Sequence, residues 1–118
     1  MLVGASEGQG WRYEVVERSE GFVVRSRDLD TGAVDDGDSQ LFRTASVAFA
    51  FAAMSASFDR FAAACAAGED HKALWSELSA NQSLYEDLRR RLQDDAMAAG
   101  VLLAWEEAEE AALRRRLH

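Results

Sequence analysis

The rhythm of apolar residues changes once along this chain, between Arg43 and Ala45, and that change limits the folds open to it. Before it, Trp11, Tyr13 and Val15 alternate with Arg12 and Glu14. Phe22 and Val24 likewise fall on one face of a strand, with Val23, Arg25 and Arg27 on the other. A period of two belongs to a half-buried strand. After the change, Val47, Phe51, Met54, Phe58, Phe61 and Cys65 recur at steps of four and three, the heptad seam of a helix. Seams of large apolar side chains exist to be covered, whether by the same chain, by a second copy or by another protein.

The pattern predicts an α+β fold: a short N-terminal antiparallel β-meander of three to four strands, followed by about three α-helices packing on it. Residues 1–10, with glycine at 4, 8 and 10, read as a flexible leader. Residues 11–118 read as one domain, with the meander at 11–43. Ser19-Glu20-Gly21 and Asp30-Thr31-Gly32 have the composition of short hairpin loops ending on a glycine, and Asp36-Gly37 is a further turn signal. A last short strand is expected at Gln40–Phe42.

A helix over 45–67 has Thr44 or Ser46 available as N-cap and Gly68 as its stop. Beside its seam, Ala45, Ala48, Ala52 and Ala56 form a stripe that permits close approach of a helix or a sheet. A second helical region, 70–98, carries Leu74, Leu78, Tyr85, Leu88 and Leu92, with Asn81 in the seam between Leu78 and Tyr85. Either the chain breaks near 79–83 and restarts on Ser83-Leu84-Tyr85-Glu86 as a capping box, or Asn81 is a buried polar residue fixing register in a continuous helix. The break is the favoured expectation. Gly100 is expected to separate this region from a third helix, 101–117.

The net charge is −8 with a pI near 4.7, which disfavours direct nucleic-acid binding, since that draws on Lys and Arg neutralising phosphates. Arg89-Arg90-Arg91 and Arg114-Arg115-Arg116 are flanked by acids at pairing distance and read as solvated ion-pair ladders. Cys65 is the only cysteine, which excludes an internal disulfide and fits a reducing compartment. The first residues lack the features of a signal peptide, and the uncharged run Thr44–Phe58 is shorter than the roughly 20 residues that span a bilayer. A cytoplasmic protein without membrane contact is expected.

Motif chemistry is sparse. Five aspartates, Asp28, Asp30, Asp35, Asp36 and Asp38, fall in one loop region, but the spacing misses the EF-hand pattern and suits turns instead. Cys65 and His71 are split by Gly68, and one Cys with two distant His gives no zinc spacing. No cofactor and no catalytic residue are expected.

The sequence therefore points to a small acidic non-enzymatic regulatory or adaptor protein, acting on a protein partner through helical faces. Its interaction residues would be Val47, Phe51, Met54, Phe58 and Phe61, and a homodimer is one way to cover them. Aspartate at Phe58 is expected to unfold the chain or split such a dimer. The alternative is an acidic decoy of the kind phage use against defence nucleases. It would occupy the groove of a nucleic-acid-binding protein through Asp28, Asp30, Asp35, Asp36 and Asp38.

Overall fold

The computed structural model describes residues 1–35 and 40–117. The chain falls into two compact units, Met1–Leu88 and Arg89–His118. Five strands come first: β1 (Leu2–Glu7), β2 (Trp11–Arg18), β3 (Gly21–Asp28), β4 (Val34–Asp35) and β5 (Leu41–Phe42). Helices α1 (Ala45–Ala67) and α2 (Lys72–Leu117) follow. The fold is α+β.

The strands form one antiparallel sheet in the order β1-β2-β3-β4, and β5 shares the far side of β3 with β4. Pairing of Val15 with Val24 and of Val16 with Val23 gives the hairpin the register its alternation predicts. Only Ser19 and Glu20 lie between β2 and β3, because Gly21 already pairs with Arg18 at a φ of 148°. At the second hairpin Gly32 takes the left-handed conformation, with a φ of 75°. The Asp36-Gly37 turn lies outside the described residues.

Residues 2–7 are a strand and not a leader. β1 pairs with β2 from Leu2 opposite Val16 to Glu7 opposite Arg12, with a bulge between Leu2 and Gly4. The glycines that suggested fraying have tertiary work. A Cβ on Gly4 would run into the ring of Phe49, so its absence lets α1 come down onto β1. Gly8 donates its N–H to the Trp11 carbonyl at 2.8 Å, closing the link to β2, and Gly10 N–H reaches Asp59 on α1 at 3.1 Å.

Thr44 caps α1, its hydroxyl accepting from Val47 N–H at 3.3 Å. Gly68 ends the helix at φ 69°, and Glu69 N–H returns to the Ala64 carbonyl. Apart from Val47, the residues of α1 that vanish from solvent are alanines and Ser57. Ala48 and Ala52 are fully buried, and Ala56 and Ser57 are 1% exposed. Ala48, Ala52 and Ala56 follow the helical spacing that presents one face, and this is the face α1 lays on the sheet. By length and composition alone α1 is apolar enough to cross a bilayer. In this fold 39% of its apolar stretch is buried, and its contacts include β1, β2 and β3.

α2 is one helix from Lys72 to Leu117. It runs through both places where a boundary is expected, 79–83 and Gly100. Two causes act. Asn81 finds a partner on α1, Ser57, so it need not compete for its own backbone. Gly100 is flanked by strong helix formers, and an interior glycine costs only about 1 kcal/mol against alanine. Among the described residues the second unit, from Arg89 on, is helix, with surface pairs such as Arg114 with Glu110. Met97, Leu103 and Leu113 stand exposed on it.

Candidate functional site

The heptad seam of α1 does not lie on the sheet. It divides along its length. Val47 is buried, and Phe51 joins Phe42 and Tyr85 in an aromatic cluster with ring centroids 5.1 to 6.5 Å apart. Beyond that point the seam comes to the surface. Met54 and Phe58 line a groove that continues over Tyr13, Ser55, Trp75, Leu78 and Gln82, with a volume of about 430 Å³.

Its position follows from how α1 is buried on two sides. Ala48, Ala52 and Ala56 meet the sheet, while Ser57 faces α2. Met54, Ser55 and Phe58 fall on the flank between these two faces. The sheet supplies Tyr13 to one wall of the groove, and α2 supplies Trp75, Leu78 and Gln82 to the other. Phe58 is 60% exposed and Trp75 54% exposed. Next to them Phe61 packs between Trp75 and His71, at centroid distances of 5.3 and 5.4 Å, beside a smaller hollow that includes Asp70 and Lys72. Met54, Phe58, Phe61 and Trp75 thus form one continuous apolar patch. A patch of this kind on a small protein marks a binding surface or an aggregation liability.

The patch stands on a polar frame. Asn81 Nδ2 donates to Ser57 Oγ at 2.6 Å, and Ser57 Oγ donates to the Ala53 carbonyl at 2.9 Å. Arg60 bridges three elements, reaching the Glu7 carbonyl on β1, Ser57 Oγ and the Glu77 carboxylate on α2. Asp59 takes the Gly10 and Trp11 N–H groups at 3.1 and 3.2 Å. Burial, and then the negative charge of Asp59, push the Tyr13 phenol above its ordinary pKa. That hydroxyl stays protonated at neutral pH and is the groove's clearest hydrogen-bonding group, with Ser55 and Gln82 beside it.

The aspartate-rich segment does not gather into a site. Asp28 Oδ1 accepts from the N–H groups of Asp30 and Thr31 at 2.8 and 3.3 Å, which makes it a turn-forming residue. Asp30 is exposed, and Asp35 lies on β4 beside Gln40 at the rim of a separate hollow. Asp36 and Asp38 lie outside the described residues. Cys65 is exposed, and His71 turns Nδ1 toward the Glu69 carbonyl while its ring packs on Phe61. Among the described residues, no three His, Cys, Asp or Glu side chains gather as a metal would require.

Sequence reasoning missed Tyr13, Trp75, Leu78 and Gln82 as partners of the seam. Periodicity assigns a residue to a face but not to a neighbour, so nothing in the pattern could join a strand tyrosine to a residue on α2. Phe58 also differs from expectation: at 60% exposure, a charge there has solvent to occupy, so the fold can accept it. Compared with known proteins, the chain matches no family model, no curated protein and no solved structure.

Proposed function

We propose that this chain is a small non-enzymatic adaptor or regulatory protein of the cytoplasm, which binds a protein partner through the groove beside α1. One observation carries the reading. α1 buries Ala48, Ala52 and Ala56, while Phe58 on α1 and Trp75 on α2 stand more than half exposed around a groove that Met54 also lines. Folding alone favours the reverse, since an aromatic side chain gains far more from burial than a methyl group does. The partner would lay an apolar face into the groove, as an amphipathic helix does, with Tyr13, Ser55 and Gln82 setting its orientation.

The test compares partners captured from host lysate by the wild-type chain and by Phe58→Asp, followed by light scattering on each bait alone. A partner held through high salt by wild type and lost by Phe58→Asp supports the reading. If the only species lost is the bait's own second copy, the groove serves a homodimer. A partner released at moderate salt, indifferent to Phe58 and lost when Asp30 and Asp35 are neutralised, would replace the groove with the acidic decoy.

A further inference from the structure

The sheet has a second face. Its pairings put Leu2, Val16, Val23 and Leu41 in one row across that face. The next row holds Ala5, Glu14 and Arg25, and a third holds Glu7, Arg12, Arg27 and Val34. Arg18, two residues on from Val16, shares the face. α1 lies on the opposite side, where Phe49 covers Gly4; on these rows Val16 and Val23 are buried, while Leu2 and Leu41 at the two ends stay about half exposed.

Glu14 is 2% exposed at the centre of this face. Its carboxylate accepts from Arg25 Nε at 2.8 Å and from Arg27 Nε at 3.2 Å, with Arg12 Nε 3.9 Å away. One carboxylate therefore anchors three guanidinium groups and offsets the charge of one. Arg25 uses its Nε for Glu14, which turns its terminal amino groups toward a further acceptor, whereas Arg27 sets Nε and Nη2 against Glu14 and gives Nη1 to the Gly32 carbonyl. The whole face sets four arginines against two glutamates in a chain whose net charge is −8. Beside the charges, Leu2 and Leu41 are 47% and 50% exposed.

We propose that this sheet face docks an acidic amphipathic segment of a partner protein, its carboxylates on Arg12 and Arg25 and its aliphatic side chains on the exposed Leu2 and Leu41. Charge complementarity selects an acidic occupant, and the apolar row selects one with aliphatic residues next to its acids. A nucleic-acid backbone would leave Leu2 and Leu41 uncovered and would meet the chain's overall negative field. Arginines held by a buried anchor lose little freedom when they bind, which favours tight recognition of carboxylates. This surface is separate from the groove beside α1, so the proposal stands or falls without it.

The probe is a fluorescein-labelled helical peptide repeating Leu-Glu-Glu-Leu, titrated with the full chain and read by anisotropy. Wild type should bind at low ionic strength and weaken as salt rises. Arg12→Glu should weaken binding about tenfold or more, and Leu41→Ser several-fold, since a charge reversal and an apolar loss act on different parts of the contact. Arg12→Gln guards against a folding effect of the reversal, and circular dichroism checks each variant. Phe58→Asp should bind the peptide like wild type, which separates this surface from the groove. No binding by wild type, or equal binding by wild type, Arg12→Glu and Leu41→Ser, would overturn the proposal. Tighter, Arg12-dependent binding of a DNA duplex would also overturn it and reassign the face to nucleic acid.

Discussion

Asn81 on α2 donates to Ser57 on α1 at 2.6 Å, in a place where Ser57 is 1% exposed. This bond is why a polar residue can occupy a seam position without ending the helix. Ser57 spends its own proton on the Ala53 carbonyl and can only accept from Asn81 and Arg60. The pair sets the register of α2 against α1, and with it the position of Trp75 and Leu78 at the groove.

Asn81→Ala should therefore destabilise the chain by about 1–2 kcal/mol, because it leaves the buried Ser57 hydroxyl short of a donor. Ser57→Ala leaves the unpaired donor on Asn81, which is only half-buried and can reach water, so it should cost less. In urea titrations the double variant should fall short of the sum of the two singles, since the residues share one interaction. Strict additivity would mean that the bond contributes nothing to packing α2 on α1.

The groove shows which parts of this arrangement could be read from sequence. The strand pairing was legible because alternation fixes a face, and one face of the β2–β3 hairpin had to be covered. The caps Thr44 and Gly68 were legible because their chemistry is local. What α1 buries was legible only in part. The alanine stripe marked a face for close approach, and Ala48, Ala52 and Ala56 lie on the sheet, but the heptad seam read as covered along its whole length and leaves Phe58 in solvent. β1 was hidden for a similar reason: Gly4 reads as a flexible position until Phe49 is seen lying over it. The continuity of α2 through Asn81 depended on Ser57, a residue 24 positions earlier that no local rule connects to it.

Gly100 sits inside α2 with open space where a Cβ would go and no positive φ. Gly100→Ala should raise helix stability by about 0.5–1 kcal/mol, since alanine lowers the conformational entropy of the unfolded chain and fits the helical backbone. The far-ultraviolet helical signal should gain thermal resistance. Unchanged or weakened helicity would show that a bend at this residue matters to the folded protein.

Gly21 is the opposite case. Its φ of 148° is one that side-chain-bearing residues rarely adopt, and a Cβ would press on the Phe42 carbonyl oxygen. Neither obstacle can yield cheaply, because both belong to backbone. Gly21→Ala should cost about 1–3 kcal/mol and loosen the β3–β5 pairing. Hydrogen exchange should then speed up at Leu41 and Phe42, and wild-type protection there would contradict this account of the turn.

Glu14 couples the open sheet face to pH. Burial opposes its ionisation, but hydrogen bonds from Arg27 and Arg25 outweigh burial and draw the carboxyl below its ordinary pKa. A group depressed on folding contributes stability above its unfolded pKa, about 4.3 for glutamate, and loses it as pH falls through the lower folded value. Wild-type stability should thus be level across neutral pH and decline in this acid range. Glu14→Gln should be less stable than wild type at neutral pH, by about 2 kcal/mol, because three neighbouring guanidinium groups lose their shared anion. As pH falls below the unfolded value and through the lower folded one, the two proteins should converge, as wild-type Glu14 also becomes neutral. A constant stability gap between them across the acid range would mean that Glu14 acts through shape and not through charge.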